Sequence, residues 1–323
     1  MLEGYTFYNY LTDDDKELVE KINNHEILGA SNHLNIFANI FIHLVEHNTS
    51  LEAVQIVAEI QDMKNFFMKT RGHSSIAVAN GLHVLTEDIN KEIKSKDTLL
   101  DQLKENKNHY EKENNENLSK ILEYSNNELK DAANILLYDY SSTVEKAVRR
   151  ILESNPEVNY NIYIAESSAI DGGSPYLPIN KYENATLTFF PDAALAYYLS
   201  KSNVCLMGAE TFYSDGTGFN TIGSDIVGLL CKEKHIPLYF ITPMNKLDDR
   251  RMQGIKKTIV TTDYKEKYKF PDKLENTIDT IIPELIDVQP EYIYAFITED
   301  GVVPSNQLYI RSLEYIQKSK GRI

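Results

Sequence analysis

Hydrophobic positions repeat with two different periods along this chain, and the change of period divides it. From Asp13 to about Tyr124 the repeat is helical, with no proline and few glycines. Asp14 and Asp15 precede Leu18, Val19 and Ile22, an acidic helix start followed by an apolar stripe. Between Asn35 and His47 the stripe Ile36, Ile40, Phe41 and Leu44 is widened by Phe37, Ile42 and Val45, which predicts a helix buried on most sides. Thr49-Ser50 is placed to cap a third helix carrying Leu51, Val54, Val57, Ile60, Met63 and Phe67. A polar loop from Lys69 to Ser75 leads into a helix over 76–90. The segment from Lys91 to Tyr124 is heavily charged, with sparse apolar positions at Leu99, Leu103, Tyr110, Leu118 and Ile121, and predicts one or two exposed helices.

At Asn134 short apolar runs begin to alternate with helical patterns. The runs are Ile135 to Tyr138, Ile162 to Ala165, Leu187 to Phe190, Val204 to Met207, Leu238 to Ile241 and Ile293 to Ile297; the helices fall at Thr143 to Glu153, Ala193 to Ser200 and Ile226 to Lys234. Alternation of this kind predicts an α/β fold with a mostly parallel sheet covered on both faces. The boundary falls near 125–132, giving a helical domain over 1–128 and an α/β domain over 129–323.

The stretch from Asn203 to Asp248 carries the first candidate chemistry. Val204 to Met207 stops at Gly208-Ala209-Glu210, as a buried parallel strand ends. The loop from Tyr213 to Asn220 is dense in turn formers, and Ser224-Asp225 is placed to cap the next helix. Ligands of open sheets bind beyond the carboxyl ends of the strands, so Glu210 and Asn220 are candidate site residues by position. Either also serves as a plain acceptor closing a loop. In the helical half, Arg71-Gly72-His73-Ser74-Ser75 joins a guanidinium to two serines at a helix start, a pattern fit for phosphate. The alternative is a serine N-cap beside a solvated arginine.

Composition narrows the classes. The chain has 323 residues, 33 Lys and Arg against 48 Asp and Glu, and a net charge of −15. That balance argues against a nucleic-acid surface while leaving room for a small anion held by a few local donors. No apolar run is long enough for a membrane span, and Met1 to Gly4 begin no secretory signal, so a cytoplasmic location is expected. Cys205 and Cys231 fit no metal spacing, and the eight histidines form no ligand cluster by spacing, so no metal is expected. There is no GxxxxGK[ST] run and no GxGxxG fingerprint, which leaves no case for a P-loop nucleotide or a nicotinamide cofactor; no cofactor is expected.

The segments Ile135 to Ser142 (ILLYDYSS), Tyr163 to Ser167 (YIAES), Pro191-Asp192-Ala193-Ala194, Gly208-Ala209-Glu210, Asn220 to Ser224 (NTIGS) and Ile297 to Gly301 (ITEDG) with Pro304 occur in order. Together they resemble the translation initiation factor 2B alpha/beta/delta family, which includes methylthioribose-1-phosphate and ribose-1,5-bisphosphate isomerases. The helical half matches more loosely, through Arg71, Ser74, Ser75, Ala79 and Asn80. The resemblance implies a helical domain joined to a Rossmann-like domain, a sugar-phosphate pocket between them, and homodimerisation through the C-terminal half, with related subunits as further partners. In the isomerases a cysteine after the first strand works with an aspartate after the Gly-Ala pair. Here those positions hold Asp139 and Glu210, and Thr221 stands where the family has lysine. These departures make the chain look closer to the alpha-type regulatory subunits. The main expectation is a regulatory protein binding a sugar phosphate or nucleotide; the alternative is an aldose–ketose isomerase of a phosphorylated pentose. Asp139 and Glu210 are the catalytic candidates, if there is catalysis. Arg71, Ser74, Ser75, Ser141, Ser142 and Asn220 are the ligand candidates.

Overall fold

The computed structural model describes residues 4–24, 26–27, 29–89, 95–254, 261–267 and 277–320. The chain divides into two compact units, Met1–Glu116 with Gln317–Ile323, and Asn117–Ile316.

The helical unit contains α1 (Asp13–Asn23), α2 (Ala30–His47), α3 (Ala53–Lys69), a four-residue turn of helix α4 (Arg71–Ser74) and α5 (Ile76–Leu85). Its core joins Val19 and Ile22 to Phe37, Phe41, Ile60, Phe67, Val78 and Leu82. Three local details differ from the pattern reading. The N-cap of α3 is Glu52, whose amide donates to Gln55 Oε1 at 2.8 Å, so the reciprocal Glu-Gln box displaces the Thr49-Ser50 cap. The expected loop over 69–75 is largely the helical turn α4. The helix expected over 76–90 is assigned only to Leu85, and Asn90 and residues 91–94 lie outside the described residues.

The charged segment forms one helix, α6 (Lys96–Leu129). Leu99, Leu103 and Tyr110 pack into the helical unit's core, whereas Ile121 and Leu129 belong to a core of the second unit. The unit division therefore falls inside α6, because one apolar stripe serves two cores in turn.

In the α/β unit seven strands form one sheet. β1 (Asn134–Leu137), β2 (Tyr160–Ala165), β3 (Ala185–Phe190) and β4 (Val204–Met207) are followed by β5 (Thr211–Tyr213), β6 (Gly218–Thr221), β7 (Leu238–Ile241) and β8 (Leu247–Asp248). Then come β9 (Thr261–Asp263), β10 (Ile281–Pro283), β11 (Leu285–Val288), β12 (Ala295–Thr298) and β13 (Gly301–Pro304). The sheet order is β13-β12-β7-β4-β1-β2-β3, parallel except for β13. Its helices are α7 (Ser142–Ser154), α8 (Leu195–Leu199), α9 (Ser224–Lys234) and α10 (Leu308–Lys320). Alternate residues of β1 enter different cores, Ile135 and Leu137 on one face and Leu136 with Tyr138 on the other, so both faces are covered.

The segment from Tyr213 to Asn220, expected as a loop, is mostly an antiparallel hairpin. β5 and β6 pair with each other and with β11 and β8 in a second sheet, leaving only residues 214–217 as the turn. Asn220 therefore sits on a strand. Helix α9 is capped by Gly223 in the left-handed region at φ 94°, so Ser224 and Asp225 are its first two helical residues rather than its caps. Among the described residues no helix is long and apolar enough to cross a membrane.

Candidate functional site

Strands leave β1 in both directions: β2 and β3 lie on one side, β4, β7 and β12 on the other. The connection order reverses between β1 and β4. That reversal opens a crevice at the carboxyl ends of the two strands, because their following loops run to opposite faces. Residues 138–141 follow β1 and residues 208–210 follow β4, so Asp139 and Glu210 flank the reversal.

Asp139 is 5% exposed and its backbone lies in the left-handed region, at φ 59°. A non-glycine residue is held there only when its surroundings over-determine it. Here three contacts do so. The Asp139 amide donates to Ser167 Oγ at 2.8 Å, the Tyr176 hydroxyl donates to the Asp139 carbonyl at 2.9 Å, and that hydroxyl accepts from the Ser141 amide at 3.0 Å. Tyr176 is fully buried, and Ser167 is itself left-handed at φ 49°. Asp192 anchors this arm by accepting from the Ser167 and Ser168 amides at 2.9 and 2.8 Å. Gly172 closes over the carboxyl: a Cβ there would lie 2.6 Å from Asp139 Oδ1.

Burial pushes the Asp139 carboxyl up to about 6, and the charge of Glu210 pushes in the same direction. The Thr221 hydroxyl, the Tyr140 amide and the Asn220 side chain lie near enough to oppose part of that rise. Oδ1 is buried with no hydrogen-bond partner among the described residues. An orphaned buried acceptor costs about 1–3 kcal/mol unless something donates to it, which makes this atom a natural place for a ligand hydroxyl.

The remaining candidates sort by unit. Asn220, on β6, is buried and donates from Nδ2 to Ser224 Oγ at 3.1 Å. Glu210 is half-buried, and its amide donates to Phe219 O at 3.0 Å. Ser141 caps α7, accepting from the Val144 amide at 3.4 Å, while Ser142 is exposed in the first turn. Asp139, Glu210 and Asn220 are thus gathered beyond the carboxyl ends of β1 and β4, with Ser141 and Ser142 at the adjoining helix start. On α7, Arg149 pairs with Glu145 at 2.5 Å. Arg71, Ser74 and Ser75 belong to the helical unit. Arg71 opens α4, and Ser75 is the N-cap of α5, with a buried hydroxyl that makes no capping bond and has no partner among the described residues. The side chain of Ser74 lies outside the described residues.

Pattern reading missed Ser167, Tyr176 and Gly172. Their roles depend on contacts 28 to 37 residues away, or on a missing Cβ, and leave no local signal beyond the turn-rich run Ser167 to Pro175.

A family model described as the initiation factor 2 subunit family matches residues 29–305. The ribose 1,5-bisphosphate isomerase of Methanocaldococcus jannaschii is 23% identical over 292 residues, 90% of this chain and 91% of that relative. The enzyme of the same name from Archaeoglobus fulgidus is 24% identical over 194 residues, and there the chain spans only 60% of the relative's length and 59% of its own. Among solved structures, 5-methylthioribose 1-phosphate isomerase from Pyrococcus horikoshii aligns with a TM-score of 0.76 at 17% identity, covering 94% of this chain and 88% of that one. A chain of the tetrameric eIF2B-beta2-delta2 complex from C. thermophilum aligns at 0.64 and 13% identity, covering 93% and 94%. At such identities the structural likeness speaks for the fold alone.

Proposed function

The chain belongs to the initiation factor 2 subunit family, and on that footing we propose that it is an aldose–ketose isomerase acting on a phosphorylated pentose. The carrying observation is Asp139: a carboxyl at the strand-order reversal, unpartnered at Oδ1 and pushed up to about 6 by its burial. Isomerisation moves a proton between adjacent carbons. A group working near neutral pH does this best when its pKa lies close to the working pH. In this reading Asp139 and Glu210 divide the work: the neutral carboxyl protonates the ring oxygen as the C1–O4 bond opens while the carboxylate takes the proton from C2, and the enol phosphate so formed then receives that proton at C1 as its O2–H proton returns to the first carboxylate, leaving a C2 ketone with the phosphate still on O1. The like charge of Glu210 helps keep Asp139 protonated. The isomerase names carried by relatives that span nine-tenths of the chain favour this over a purely regulatory role.

In the helical unit we separately assign Arg71 and Ser75, with Ser74, to a phosphate; Ser141 and Ser142, at the α7 start, are the corresponding donors of the α/β unit. Self-association is part of the same proposal, and light scattering reads it as the mass of two chains.

The test is turnover of ribose 1,5-bisphosphate and of methylthioribose 1-phosphate. Wild type should convert one of them, and Asp139→Asn should lower kcat by about 100-fold or more, the usual size of a general acid–base contribution. Arg71→Ala should weaken the binding of inorganic phosphate by about 10-fold or more, read by thermal-shift titration. The second reading, an alpha-type regulatory subunit, is favoured by the carboxylate standing where the isomerases of the resemblance have a thiol. Saturable sugar-phosphate binding without turnover would establish it instead.

A further inference from the structure

Helix α2 presents two histidines one turn apart, His43 half-buried and His47 exposed in its last turn, with ring centres 5.7 Å apart. His43 is oriented from below. Its Nδ1 lies 3.0 and 3.2 Å from the two carboxylate oxygens of Asp15, on α1. Asp15 is 2% exposed and is itself fixed, since Oδ2 accepts the Thr12 hydroxyl at 2.8 Å. A neutral imidazole that donates from Nδ1 keeps its lone pair on Nε2. With Nδ1 committed to Asp15, Nε2 is the nitrogen left for a ligand, on a side chain 41% exposed.

We propose that His43 and His47 form a binding site for a late first-row divalent cation, zinc or nickel, with Asp15 as the carboxylate that orients the first ligand. The histidine spacing, expected to hold no ligand cluster, does contain this pair, since residues at i and i+4 are neighbours on a helix surface. An imidazole bound through Nε2 at about 2.1 Å holds its ring centre roughly 3 Å from the ion, so two rings on one tetrahedral ion have centres about 5 Å apart. The observed spacing is close to that, and the exposed His47 ring closes the difference by turning about its own side-chain bonds. A buried carboxylate behind a ligating histidine is the arrangement that fixes the tautomer and raises ligand basicity in metal sites. Among the described residues no group of three or more His, Cys, Asp or Glu converges, so water fills the remaining positions. Glu46, beside His47, pairs with Lys104 at 3.6 Å and is not counted as a ligand. Imidazole donors suit zinc and nickel, whereas magnesium takes oxygen and is excluded by chemistry.

The site lies within the helical unit and is independent of the isomerase reading. The test is calorimetric titration of the full chain with zinc chloride and with nickel chloride, in excess magnesium, on wild type and three variants. One saturable ion per chain is expected. His47→Gln, at an exposed position, should weaken it at least about 10-fold, His43→Gln should do the same, and Asp15→Asn should weaken it about 10–100-fold. Melting temperature without metal checks that each variant folds; if Asp15→Asn does not, the two histidine variants decide. Wild type without saturable binding, or His47→Gln titrating like wild type, overturns the proposal.

Discussion

Asp139 is buried in the folded chain and hydrated in the unfolded one, so the fold holds its proton more tightly. The sign follows directly. Below the ordinary value of 3.8 both states are protonated and the group contributes no difference; between 3.8 and about 6 the unfolded chain ionises while the folded one stays neutral, so stability falls as pH rises. Above about 6 both are ionised and the penalty is constant. A difference of about two pKa units corresponds to roughly 3 kcal/mol. Asp139→Asn, which removes the charge and keeps the shape, should therefore be more stable than wild type by up to about 3 kcal/mol at pH 7.5, a difference that closes as pH falls to about 3. Urea unfolding across that range checks it; curves for the two proteins that stay parallel would mean that Asp139 is hydrated in the fold. Gain of stability with loss of turnover is the trade expected of a strained functional residue. At this scale the candidate was legible, because Asp139 follows an apolar run at a position the family resemblance marks. Its left-handed backbone and its unpartnered oxygen were not, since Ser167 and Tyr176 reach it from distant segments.

Elements were legible where one period ran long enough to dominate, and obscure where two backbone solutions shared one composition. Six of the seven sheet strands stand near the apolar runs that predict them, because strands buried on both faces need continuous apolar residues. β5 and β6 were hidden because Gly216, Gly218 and Asn220 carry turn chemistry whichever way the flanking backbone pairs. The start of α9 was misread for a related reason: serine and aspartate favour a cap, but Gly223 alone can take φ 94°. Gly223 is also pressed by its neighbour. A Cβ there would lie 2.1 Å from the Tyr138 hydroxyl, which donates to the Ile222 carbonyl at 3.0 Å. Gly223→Ala should thus cost both left-handed strain, about 1 kcal/mol or more, and a clash at β1's end. In a Tyr138→Phe background the 2.1 Å contact is gone, leaving the ring carbon Cζ at 3.1 Å and the strain, so the cost of Gly223→Ala should shrink by about 1 kcal/mol or more. A double-mutant cycle in urea measures the coupling; additive costs would show that Tyr138 does not hold the start of α9.

For the whole molecule the deciding quantity is charge. The chain carries −15 at neutral pH, and the substrate class proposed for it is anionic. Two fields of opposite sign act on such a ligand. The amides at the start of α7 attract it over a few ångströms, while the net charge repels it over the Debye length. That length is about 30 Å at 0.01 M salt and about 8 Å at 0.15 M, so at low salt an approaching phosphate feels most of the chain, and at physiological salt only its immediate neighbourhood. Repulsion therefore dominates the dilute-salt encounter and fades as salt is added. kcat/KM for the phosphorylated pentose should rise between those two ionic strengths, the reverse of an enzyme whose surface steers its anion in. Stopped-flow association gives the same reading if binding occurs without turnover. A fall with salt would mean that the local donors outweigh the acidic surface even at long range.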